Sequence, residues 1–382
     1  MKQCNLVVVA LLAQLLVHQP SSAQSLEVNR SLAIDLEWST GQDGSDVYLD
    51  EPRIALLASD GSAYLVEKPR TSLRRFDHAG NELKPLGFAG SGPGEFSRIV
   101  SMIDVAYDSL FVYDTVNGQI SVFSDHGEFV RSLPAGPFGG KALDLLHVNA
   151  LTMEWVTAYQ PASLWVEPES LIHLYSQDQD EITASAIHPR QIADLDNPLH
   201  AFRANSSGAF RSARVQSDTP KPFVVIVPDL YSGQVTAVPI EKNGFGLIEH
   251  MTVSSGFEPD PGFVIDSPSQ APRGIKARVL TLHLAGIGKQ SAVVQVWNTQ
   301  VVPMPNGQFG VAFAHAVDQP EETYVDLFTV DEGFLERVRL DLDPEIGNNI
   351  RVWDADNSGR LLISYVDQKG NPVLAKTTPL EL

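Results

Sequence analysis

The chain has 382 residues, with 27 Lys+Arg against 47 Asp+Glu and a formal charge of −20; a field of that sign repels phosphate backbones and anionic lipid head groups, which argues against nucleic acid as a partner. Hydrophobic residues at 43% with 19% charged describe a chain with an ordered core, not a disordered one. The single cysteine, Cys4, leaves no disulfide framework or thiolate zinc site to a chain that has lost its N terminus.

Met1-Lys2 brings a positive charge, Leu6 to Val17 is apolar apart from Gln14, and Ser21-Ser22-Ala23 sets small residues where a signal peptidase cuts. Residues 1–23 are predicted to be a signal peptide and residues 24–382 a single extracytoplasmic domain, periplasmic or secreted. The apolar run falls short of the ~20 residues a spanning helix needs. No later stretch is long and apolar enough, so no membrane span is expected after signal removal. Cys4 precedes the apolar run, the wrong side for a lipid-modified cysteine.

Leu32, Ile34, Leu36 and Trp38 alternate with Ala33, Asp35 and Glu37, a period of two that predicts a strand. Laying residues 62–82 over 109–129 then brings like residues into register: Tyr64-Leu65-Val66 on Phe111-Val112-Tyr113, Glu67 on Asp114, Phe76 on Phe123, and Gly80 on Gly127. Each unit reads as a strand, a polar turn, a second strand ending in Phe, and a reversal closed by Gly. Between the two units lies Gly90-Ser91-Gly92-Pro93-Gly94-Glu95-Phe96. Neither a Lys-Ser/Thr nor a helix-forming stretch follows it, so a phosphate loop is disfavoured. Gly90, Gly92, Gly94, Glu95 and Phe96 are assigned instead to a tight structural connection in which Glu95 accepts local N–H bonds.

Further along, Ser163–Val166 with Leu171–Tyr175, and Phe223–Val227 with Gly233–Val235, suggest two more strand pairs. Ile192 to Asp218 breaks the rhythm and reads as a loop or small helical insertion. Gly310–Ala314, Tyr324–Phe328 and Gly333-Phe334 repeat the strand and Gly theme, and Leu361–Tyr365 with Val373–Ala375 make a last hairpin around Gly370. Units of roughly 40 to 50 residues built from short strands are the signature of propeller blades. The expected fold is all-β, a β-propeller of six blades, each a four-stranded antiparallel sheet, with the strand around Leu32–Trp38 pairing with the last blade to close the ring.

Asp354-Ala355-Asp356-Asn357-Ser358-Gly359 has the spacing of half a calcium loop. Tyr365 stands where an EF-hand needs Glu, so Asp354, Asp356 and Ser358 are weak metal candidates and a plain turn is favoured. Ten histidines form neither His-x-His nor His-Glu-x-x-His, and His78 and His126 sit in turn tips beside Asp77 and Asp125. No Gly-x-Ser-x-Gly elbow is present. Trp155, Trp165, Trp297 and Trp353 are read as core aromatics.

Gly90–Phe96, followed by Ile103-Asp104-Val105, Leu110–Asp114, Asn117 and Gln119–Phe123, resembles the NHL-repeat type of six-bladed propeller, in particular its exported bacterial branch. The resemblance spans about Gly87 to Leu133 and departs at Ile99 or a neighbour, where the repeat usually has Pro, and at Gly118, where it usually has Arg. It implies the fold and no particular activity, since that fold hosts binding modules, lyases and lactonases. With no catalytic motif and no cofactor indicated, the leading expectation is a binding or scaffold module for a protein or small-molecule ligand. The alternative is a metal-dependent lactonase or lyase whose site lies in the central channel.

Overall fold

A computed structural model describes residues 28–380 other than 43, 106–108, 125, 139–142, 150–153, 160–169, 189–190, 192–209, 216–221, 229–230, 232, 242–243, 254–262, 266–276, 285–287, 296–299 and 316–321. The signal-peptide assignment, the strand expected at 163–166, Asp125, Trp165 and Trp297 lie outside the described residues.

Two short strands, β1 (Arg30–Ala33) and β2 (Leu36–Thr40), come first. Blade 1 follows as β3 (Pro52–Leu57), β4 (Ala63–Glu67), β5 (Leu73–Phe76) and β6 (Glu82–Leu86), and blade 2 as β7 (Ile99–Val105), β8 (Ser109–Asp114), β9 (Gln119–Ser124) and β10 (Phe129–Pro134). Blade 3 comprises β11 (Leu143–Asn149), β12 (Glu154–Tyr159), β13 (Ile172–Ser176) and β14 (Glu181–Ala186). In blade 4, β15 (Phe210–Val215), β16 (Phe223–Pro228) and β17 (Gln234–Glu241) are joined at the outer edge by β18 (Gly244–Phe245) and β19 (Glu249–Thr252), which share the length of β17. A three-stranded sheet intervenes, formed by β20 (Phe263–Ile265), β21 (Ala277–Leu284) and β22 (Gly288–Gln295). Blade 5 is β23 (Gln300–Pro303), β24 (Gln308–His315), β25 (Glu322–Thr329) and β26 (Gly333–Asp341), and blade 6 is β27 (Gly347–Ala355), β28 (Leu361–Asp367) and β29 (Pro372–Thr377) completed by β2.

The first strands of successive blades lie side by side in the order β3, β7, β11, β15, β23, β27 and back to β3. Six sheets therefore close a ring, and the β20–β22 sheet takes no place among those inner strands. The core agrees with the count, because among the described residues it divides into six clusters, one at each blade junction. Along β8, for example, Leu110 and Val112 pack against blade 1 while Phe111 and Tyr113 pack against blade 3. A strand buried on both faces must be apolar at every position, which is how Leu110–Tyr113 reads.

Three differences from the sequence reading have physical causes. The alternation over Leu32–Trp38 belongs to two strands, not one: β2 pairs antiparallel with β29 and closes blade 6, while β1 adds parallel to β26 at the edge of blade 5. Within the stretch assigned to a loop or helix, Phe210–Val215 is the inner strand of blade 4, fixed along its whole length by the apolar run Phe223–Pro228. Its partner, not its own pattern, makes it a strand. The extra sheet has readable alternation, since Val279, Thr281 and His283 interleave with Leu280, Leu282 and Leu284, yet the period gives no information about its place outside the inner ring.

Candidate functional site

The two repeated units correspond strand for strand in structure as they do in sequence. Phe76 and Phe123 are fully buried, and Gly80 and Gly127 both have φ of 82°. Each reversal follows one pattern: in 77–81, residue Asp77 donates its N–H to Asn81 O (2.9 Å), Gly80 N–H returns to Asp77 O (2.9 Å), and Asp77 Oδ1 accepts from the backbone of Ala79 and Asn81. The 356–360 and 367–371 turns repeat those bonds around Asp356, Gly359 and Arg360, and around Asp367, Gly370 and Asn371. This is the hairpin turn in which a left-handed residue, here Gly, follows a tight turn.

That pattern accounts for the calcium-like spacing. Asp356 Oδ1 accepts from Ser358 N (2.8 Å), Ser358 Oγ (2.5 Å) and Arg360 N (3.0 Å). Asp354 is spent elsewhere, with Oδ2 accepting from Leu57 N of blade 1 (2.9 Å) and Oδ1 from Ala355 N. Its role is to stitch blade 6 to blade 1. Among the described residues, no three His, Cys, Asp or Glu side chains come together to hold an ion. His78 and His126 are exposed in turns, Trp155 is buried against Tyr175 (ring centroids 4.8 Å), and Trp353 is buried at the blade 6–1 junction.

The Gly-rich segment joins the outer strand of blade 1 to the inner strand of blade 2. Gly90 N–H donates to Phe96 O and Phe96 N–H to Phe88 O, so the loop folds onto itself, while Glu95 accepts from Gly92 N–H (2.8 Å). Gly90 lets the Glu95 carboxylate approach closely: a Cβ there would lie 2.0 Å from Glu95 Oε2 and would push that side chain aside. Gly94 is required by its backbone, with φ of 73°.

Asp114 pins this loop. It is fully buried and ends β8, where its carboxylate accepts from Ser97 N (2.5 Å), Arg98 N (3.2 Å), Val116 N (2.9 Å), Asn117 N (3.0 Å) and Asn117 Nδ2 (3.0 Å). Asn117 in turn donates to Gly90 O. Glu67, its equivalent in blade 1, accepts from Asp50 N in the loop joining β2 to β3, and from Arg74, which also donates to Tyr48 O. One acid per unit thus catches the loop arriving from the preceding blade.

These outer-to-inner loops share one end of the ring with the turns after β4 and β8. There they carry exposed apolar side chains: Tyr48 at 75%, Phe88 at 65% and Val116 at 63% exposure. Elsewhere, a buried cluster bridges blades 4 and 5. Arg337 makes two bonds to Asp326 (2.6 and 2.8 Å), Tyr231 donates to Asp326 Oδ2 (2.7 Å), and the guanidinium lies 5.3 Å from the centre of the Phe313 ring. Sequence reasoning missed this cluster although its signal was present, because hairpin pairing about the turn before Gly333 places Asp326 opposite Arg337.

No protein-family model matches the chain, and neither does any curated protein sequence. Among solved structures it is similar to a member of the DUF4221 family from Bacteroides vulgatus (10% identity, 89% of this chain and 95% of that one, TM-score 0.49). A Bacteroides fragilis protein thought to be exported gives 10% identity, 91% and 94% coverage and a TM-score of 0.48. Virginiamycin B lyase from Staphylococcus aureus gives 9% identity, 86% and 80% coverage and a TM-score of 0.37. At these identities the likeness concerns chain architecture and not activity.

Proposed function

We propose that this chain is an exported binding propeller of the NHL-repeat kind, which presents its partner-binding surface on the loop end of blades 1 and 2. The observation that supports this is the coincidence of exposed Tyr48, Phe88 and Val116 with loops held rigidly by Glu67, Asp114 and Asn117. Exposed apolar side chains gathered on a fixed frame mark interaction surfaces, and a preorganised frame keeps the ordering cost of binding low. The partner is a protein or a small molecule and not a nucleic acid, given the net charge of −20. In the same reading residues 1–23 are removed on export, leaving residues 24–382 as one domain with no membrane-spanning helix; among the described residues no helix is long and apolar enough to cross a membrane.

Two experiments test this. Intact-mass measurement of protein recovered from the producing cell's exterior or periplasm is expected to give a chain beginning near Gln24. Photo-crosslinking from position 88 or 116 is expected to trap a partner that position 182, on the outer strand of blade 3, does not trap. Purified partner should then lose affinity for Phe88→Asp and retain it for Ile182→Asp. Equal crosslinking from all three positions would refute the surface assignment.

A further inference from the structure

Residues 28–40 do not belong to any hairpin. Among the described residues β1 pairs only with β26 and β2 only with β29, strands that lie roughly 300 to 340 residues downstream. Between them these thirteen positions seal three consecutive blade junctions: Val28 packs at the blade 4–5 junction, Leu32, Ile34 and Leu36 at the 5–6 junction, and Trp38 at the 6–1 junction. Trp38 lies so close to blade 1 that a Cβ on Gly80 would be 2.7 Å from its ring.

The polar links run the same way. Arg30 grips Glu336 through Nε (3.1 and 3.0 Å) and Nη2 (2.8 Å), and Asn29 exchanges two bonds with the backbone of Arg337, donating N–H to its carbonyl (3.0 Å) and accepting its N–H at Oδ1 (2.8 Å). Thr378 N–H donates to Asp35 O (2.9 Å), and Glu37 pairs with Arg360 (2.8 Å) and Lys376 (3.3 Å). Apart from β19, which pairs with β17, each of the other blade strands pairs with a strand adjacent to it in sequence, so leaving would break a hairpin. This segment can. Its departure leaves blade 5 with β23–β26 and blade 6 with β27–β29, each still a continuous meander.

We propose that residues 28–40 form a detachable clasp, which leaves the ring as one unit at lower cost than unfolding the ring and bares the outer edges of β26 and β29. Local opening of this kind has a free energy below the global value and is read by hydrogen exchange.

The test is hydrogen exchange by mass spectrometry on the full chain across sub-denaturing urea. Peptides covering 30–40 are expected to exchange at least ten times faster than those covering β8 and β9, with one shared urea dependence for β1 and β2. The outer-edge amides of β26 and β29 should open with them. Arg30→Ala should speed exchange over 30–40 several-fold and leave β8 and β9 unchanged, with Arg30→Lys intermediate. Exchange over 30–40 at the rate and urea dependence of β8 would overturn the proposal, as would β1 and β2 opening at different urea concentrations. The wild-type comparison decides the matter even if Arg30→Ala fails to fold.

Discussion

At the scale of single residues, position is set either by backbone angle or by a buried partner, and each gives a measurable consequence. Gly94 has φ of 73° and a Cβ there would meet Phe129 at 3.1 Å. Gly94→Val is therefore expected to lower stability by about 1 to 3 kcal/mol, read from urea unfolding. The buried tyrosines make a second case. Burial, reinforced by the neighbouring Asp180, pushes the Tyr175 phenol up to about 12, and burial beside Asp326 pushes Tyr231 well above the usual value near 10.0. Burial raises Tyr324 too, reinforced by Glu322. Below pH 10 both folded and unfolded chains keep these protons and the full stability is present. Above it the unfolded chain releases protons the folded ring retains, so stability falls as the pH rises toward 12. Phenolate absorbance should therefore appear together with unfolding, and Tyr231→Phe should remove part of the alkaline loss.

Among the elements, the hairpin turns were the most legible part of the chain, because they are local. The offset between the first two units found the strands, the Phe anchors and the Gly reversals. It also aligned Glu67 with Asp114, which perform the same task of catching a loop from the preceding blade. What the offset could not supply was the blade 4 strand Phe210–Val215, whose identity comes from its pairing with β16, or the separation of the β20–β22 sheet from the ring. The loop end of blades 1 and 2, proposed above as a binding surface, was legible only as the Gly-rich segment. Exposure of Tyr48, Phe88 and Val116 depends on which side chains distant parts of the chain cover. For the turn at Asp356, whose spacing matches half a calcium loop, the likeness to the Asp77 and Asp367 turns yields a prediction. Asp356→Ala should lower stability by about 1 kcal/mol through lost turn bonds, by the same amount in chelator and in millimolar Ca²⁺. A loss confined to the Ca²⁺ condition would favour a metal site over a plain turn.

For the whole molecule, closure is the property that length and composition do not reveal, since it places residues 36–40 beside 374–377 and makes every blade the neighbour of two others. An open array of repeats unfolds by local steps that need not coincide, because each repeat answers only to its neighbours. In a closed ring each blade is held by two neighbours, so no blade opens alone. A defect placed far from the clasp tests this. Ile226 is fully buried at the blade 3–4 junction among Val156, Leu174 and Val238, and Ile226→Ala should cost about 2 to 5 kcal/mol through the cavity it leaves. In a closed ring that loss is shared, so circular dichroism and tryptophan fluorescence should move together to a lower midpoint with an unchanged urea slope. Two separated transitions, or a reduced slope, would show that blades 3 and 4 can part while the rest of the ring holds.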